Sequence, residues 1–137
     1  MRKTIGLISL LVIFLVILGS NIACGSSPST TLDESAIRAY ADPATETTLH
    51  GLSENNLEKY TQNANSEFIA AVTQEILDKA ANQINGQLGI YISKEFLSVE
   101  EKDGYTIVHY KAKYSRGDVG IRMVFDKDHL VAGQWFE

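Results

Sequence analysis

Residues able to do chemistry are few in this chain, and most stand apart. Cys24 is the single cysteine in 137 residues. A lone thiol closes no disulfide within the chain, and its thiolate is a nucleophile. Proton abstraction next to a carbonyl needs a buried carboxylate base facing a hydroxyl or a protonated acid. Tyrosines are plentiful, but Asp126 and Asp128 fall at one expected turn and Glu100, Glu101 and Asp103 at another. His50 and His129 are isolated, and His109 shares a strand face with Lys111 and Lys113. No His, Cys, Asp or Glu group has the spacing of a zinc site, and no cofactor is expected. "FDKDHL" separates two aspartates by one residue, as calcium loops do, but lacks the glycine and distal glutamate of a full loop. "SRGD", residues 115–118, spells an adhesion tripeptide where a hairpin would use Gly117 and Asp118 as turn residues.

The setting of Cys24 narrows its chemistry. Arg2 and Lys3 precede an uncharged apolar run from Ile5 to Leu18, and Gly19, Ser20 and Ala23 are small. A basic start, a short apolar run and small residues at a cut site describe an export signal. "NIAC" resembles the lipobox of bacterial lipoproteins, with Ala23 and Ile22 in register and Asn21 where an apolar residue is usual. That resemblance implies cleavage before Cys24, attachment of lipid through its thiolate so that the cysteine carries two or three chains such as palmitate, and a domain facing outside the cytoplasm. The competing expectation is an uncleaved anchor, because Ile5 to Ala23 approaches the ~20 residues that span a bilayer. "GSSPSTT" after the cysteine reads as a flexible tether. The expected organisation is a signal over 1–23, a lipidated cysteine and tether over 24–31, and one domain over 32–137.

Setting Arg2 and Lys3 aside leaves 10 of the 12 Lys and Arg against 17 Asp and Glu, a net charge of −7. Such a balance argues against binding nucleic acid or anionic lipid through charge.

Period and punctuation set the elements of that domain. Asp42 and Pro43 suit an N-cap and a first helical position, with Leu49 and Leu52 on one face. A short helix follows Asn56, pairing Leu57 with Tyr60. The strongest pattern is Phe68, Val72, Ile76, Ala80 and Ile84, every fourth residue, flanked by Ile69 and Leu77. It predicts one long helix, with Ile76 central in its buried stripe and Asn85-Gly86 at its end. Past Gly89 the period becomes two. Four strands are expected over 90–101, 105–115, 119–126 and 130–137, with Asp103-Gly104 as a hairpin turn. Val108, Tyr110, Ala112 and Tyr114 form one core face, and Val119, Ile121, Met123 and Phe125 another, leaving one side of the sheet wet. The fold class is α+β, with N-terminal helices packed on a curved four-stranded antiparallel sheet.

Tyr60, Phe68, Tyr91, Tyr110, Tyr114 and Trp135 could line a pocket for a small apolar ligand. The simpler expectation, and the preferred one, is that they are the core of a small domain.

A "YTIVHYKAKY" strand, the "VFDKD" strand end, the final "VAG" and the short "ENNLEKY" helix stand in an order that resembles the domain family DUF3887 over roughly residues 44–136. The resemblance implies a cone of the nuclear-transport-factor-2-like superfold, whose members include enzymes, binding modules and inert scaffolds, so it assigns no catalytic residue. The expected function is a membrane-anchored, non-catalytic domain binding a small ligand or a protein, or pairing with itself through the sheet. The alternative is a small hydrolase or isomerase using the cone cavity.

Overall fold

The computed structural model describes residues 31–137; the export signal, Cys24 and the tether as far as residue 30 lie outside the described residues. The order is α1 (Glu34–Ser53), α2 (Leu57–Thr61), α3 (Ser66–Ala71), α4 (Gln74–Leu88), β1 (Tyr91–Lys102), β2 (Tyr105–Tyr114), β3 (Gly117–Phe125) and β4 (Val131–Phe136). Consecutive strands pair antiparallel in the order β1-β2-β3-β4, an open sheet. The α+β class follows as expected. Among the described residues, no helix is long and apolar enough to cross a membrane.

The first helix begins nine residues earlier than Asp42 and Pro43 predict. Asp33 is the N-cap, its carboxylate accepting from the Ala36 amide at 3.0 Å. Pro43 sits inside α1. Proline in a helix interior costs about 3 kcal/mol relative to alanine. Burial of Ile37, Ala41, Ala44, Leu49 and Leu52 outweighs that local penalty. Asp42 is thereby released from capping.

The expected long helix is two helices. Val72 is extended (φ −105°, ψ 108°), and the Thr73 hydroxyl caps α4 by accepting from the Ile76 amide at 3.3 Å. The break resets the helical phase. Leu77 and Ala81 are buried, with Ile84 packed beside them, while Ile76 turns outward and is 49% exposed. Helix α4 also runs past Gly86 to Leu88. Its left-handed terminator is Gly89 (φ 83°), and Arg116 Nη2 donates to the carbonyls of Asn85 and Gly86.

Asp103 (φ 53°) and Gly104 (φ 82°) make the first hairpin turn, both left-handed. The second turn is Ser115–Arg116, not Gly117–Asp118, since Tyr114 already pairs with Gly117. The inner sheet face carries buried Val108, Tyr110, Ala112, Tyr114, Ile121, Met123 and Phe125, as the alternation predicts. Register shifts at Ile92 and Leu97 break the alternation of β1, so Tyr91, Lys94, Phe96 and Val99 come opposite inward residues of β2.

Candidate functional site

Helix α1 presents Glu34, Arg38, Asp42, Glu46 and His50 at four-residue spacing, hence on one face. Opposite it, the bulges of β1 aim Lys94 at the helix; its side chain is only 10% exposed. Two buried tyrosines meet this stripe. The Tyr110 hydroxyl donates to Asp42 Oδ1 at 2.9 Å, and Arg38 Nε donates to Oδ2 at 3.1 Å. The Tyr91 hydroxyl donates to Glu46 Oε2 at 2.8 Å, with Lys94 Nζ 3.5 Å from the same oxygen and His50 Nε2 3.3 Å from Oε1. Arg38 stacks on Phe96 at 4.6 Å, and Lys94 lies 5.0 Å from the Tyr110 ring centroid.

Burial first, and then the neighbouring carboxylate, pushes both phenols well above the ordinary tyrosine value. Each is therefore held as a hydrogen-bond donor. Each of the four carboxylate oxygens has a hydroxyl oxygen, guanidinium nitrogen or imidazole nitrogen within 3.3 Å, so both carboxylates are engaged inside the seam. In chemical terms this seam fastens α1 to β1 and β2 more than it equips a catalyst.

The six aromatic positions divide. Tyr91, Tyr110 and Tyr114 are buried on the inner sheet face. Tyr60 and Phe68 come from α2 and α3, half-buried and 5.7 Å apart between centroids. The Tyr60 hydroxyl donates to Gln134 Oε1 at 2.9 Å. Tyr114 meets Tyr91 edge-on at 5.6 Å, and its hydroxyl has no partner among the described residues. Trp135 does not join them. A register shift beside Val131 reverses the phase of β4, so Gln134 and Phe136 pair with inward residues while Trp135 pairs with Arg122 on the open face. The indole is 46% exposed.

That open face has its own order. Arg122 lies 4.8 Å from the Trp135 ring centroid and 3.5 Å from Glu137 Oε1. Glu137 Oε2 is 3.3 Å from His109 Nδ1, whose Nε2 is 3.5 Å from Glu100. A polar row thus crosses β1, β2 and β3 and ends on Trp135 of β4 and on Glu137 just beyond it. His109 is on the wet face the alternation assigns it.

A cleft of about 380 Å³ opens at one end of the sheet between Lys102–Thr106 and Asp126–His129, and none of the six aromatics lines it. Asp126 is committed to its turn: Oδ1 accepts from the Asp128 and Leu130 amides at 2.9 and 3.0 Å, and Oδ2 from Asn65 at 3.1 Å.

The stripe on α1 was legible as R-x3-D-x3-E-x3-H, but its partners were not. Lys94 faces inward only because of the bulges, and Asp42 is available only because Asp33 caps the helix.

The fold resembles the NMR structure of a protein from Ruminococcus gnavus ATCC 29149, with a TM-score of 0.53 and 19% identity over 75% of this chain and 90% of that one. No curated protein matches. Residues 45–133, well over half of the chain, match the model described as "Protein of unknown function (DUF3887)". The chain belongs to the DUF3887 family.

Proposed function

We propose that this protein is a lipoprotein held outside the cytoplasm through Cys24, whose domain over residues 32–137 is a non-catalytic binding module of nuclear-transport-factor-2-like form. The observation that carries the non-catalytic reading is the closed bonding of the seam. Tyr91 and Tyr110 each spend their hydroxyl on a carboxylate, Arg38 and His50 stand at the two remaining oxygens, and Lys94 shares Glu46 Oε2 with Tyr91. The ligand or protein partner then docks on the surface. Nucleic acid is disfavoured by the net charge of −7.

Two measurements test this reading. A clickable fatty acid should label the full chain in a lipoprotein-processing host, and Cys24→Ser should abolish the label. Equal label on the variant would remove Cys24 as the attachment point. Native mass spectrometry of the protein purified from its own host should show a retained partner or ligand.

A second reading, a small isomerase or hydrolase, draws on the Tyr91–Glu46 pair, a phenol beside a carboxylate. It requires Lys94 to leave Glu46 during turnover. Turnover that Glu46→Gln abolishes while the fold persists would establish it over the binding module.

A further inference from the structure

We propose that the open sheet face is a platform for a neutral saccharide chain, with one sugar ring stacked on Trp135 and its neighbours hydrogen-bonded along Arg122, Glu137, His109 and Glu100. This deepens the binding-module reading by naming the site and the class of ligand.

Three observations carry it. The first is the fixed indole. Its benzo edge lies directly over Gly133, where a Cβ would collide with the ring. Arg122 holds it from the neighbouring strand at 4.8 Å. A scattered exposed aromatic needs no ligand. A ring seated on a glycine and braced by a guanidinium, with nearly half its surface open, is a preorganised stacking surface.

The second is the row itself. Each member is tied to the sheet: Arg122, His109 and Glu100 sit on β3, β2 and β1, and the Glu137 amide donates to Gly120 O at 2.9 Å. Strands lie about 4.8 Å apart, so four of them span roughly 15 Å, the length of about three sugar units. Carboxylates, imidazole and guanidinium in line suit successive hydroxyls, which both donate and accept.

The third is charge, which decides among occupants. Arg122 stands against Glu100 and Glu137, with His109 between them. Lys111 and Lys113 on the same face stand against Glu95 and Asp118, so neither the row nor these pairs offer net positive charge to attract an anionic polymer. A second copy of this chain fits less well, because the cores of protein interfaces are depleted of charged residues, and this face places its ion pairs at the centre. A hydroxyl-rich neutral ring satisfies both the apolar indole and the charged row.

Trp135 is the single tryptophan of the chain, so its emission reports on the site without labelling. The full chain, in a detergent without a sugar headgroup, is titrated with cellopentaose, chitopentaose and maltopentaose into the millimolar range. At least one should shift the emission to the blue and protect the indole from iodide. Arg122→Gln should weaken that response about tenfold or more. Trp135→Ala, followed by calorimetry, should abolish binding while circular dichroism stays unchanged. No response to any of the three sugars overturns the proposal. A blue shift that grows with protein concentration in the absence of sugar also overturns it, giving the face to a second copy. Fatty-acid labelling of Cys24 is independent of both results, so loss of the platform leaves the anchor standing.

Discussion

The Tyr110 hydroxyl reaches across 68 residues of sequence to donate to Asp42 Oδ1 at 2.9 Å, joining the middle of α1 to the middle of β2. Tyr91 and Glu46 repeat the bond one helical turn on, at 2.8 Å. Hydrogen bonds to charged groups contribute about 1.5–3 kcal/mol, and a carboxylate that can still reach water gives the lower end. Asp42 and Glu46 are both part-exposed, with side chains 30% and 41% accessible.

Tyr110→Phe should therefore destabilise the domain by about 1–2 kcal/mol. A double-mutant cycle with Asp42→Ala should show a coupling of at least about 0.5 kcal/mol. Urea denaturation of the four proteins measures it. Strict additivity would mean that the bond contributes nothing to holding α1 on the sheet.

The phase of α4 gives a contrast between neighbours. Leu77 is 1% exposed and Ile76 is 49% exposed. Leu77→Ala should cost about 2–5 kcal/mol through lost burial and the cavity left behind. Ile76→Ala should cost less than about 1 kcal/mol. Chemical denaturation of the pair decides it; equal losses would put the break at Val72–Thr73 in the wrong place.

Gly89 ends α4 with φ 83°, and a Cβ there would meet the Ser115 side chain. Gly89→Ala should lower stability by at least about 1 kcal/mol, since it adds that collision to a left-handed backbone that alanine resists. Adding Ser115→Ala should recover part of the loss. Melting temperatures of the single and double variants test both statements.

Burial pushes the hydroxyls of Tyr60 and Tyr114 up to about 12. In the unfolded chain a tyrosine ionises near 10. The native state thus keeps protons that the unfolded state gives up between those values. The contribution of these phenols to stability is complete below pH ~10 and is lost as pH rises toward ~12. Melting temperature should fall steeply across that window, and Tyr60→Phe should make the fall shallower. A flat profile would mean that the two hydroxyls reach water.

Period-two alternation over β2 and β3 was enough to place Val108, Tyr110, Ala112, Tyr114, Ile121, Met123 and Phe125 in the core, because a strand flips every side chain and no bulge interrupts their pairing. Asp103-Gly104 was equally legible, since two left-handed residues in sequence have few alternatives to a tight hairpin. The thiol at Cys24 and the charge of the chain are properties of composition and needed no fold. Tertiary structure decided the rest. Whether Asp42 caps a helix or receives Tyr110 depended on how much of α1 the sheet buries, because only that packing outweighs Pro43. Whether Ile76 or Leu77 faces inward depended on the Thr73 cap, which resets the helical phase by a hydrogen bond worth about 1 kcal/mol, below what a hydrophobic stripe reveals. Lys94 and Trp135 owe their faces to single-residue shifts of register in β1 and β4. Such a shift is settled by pairing with the neighbouring strand, an interaction between distant residues that no local pattern of polarity encodes.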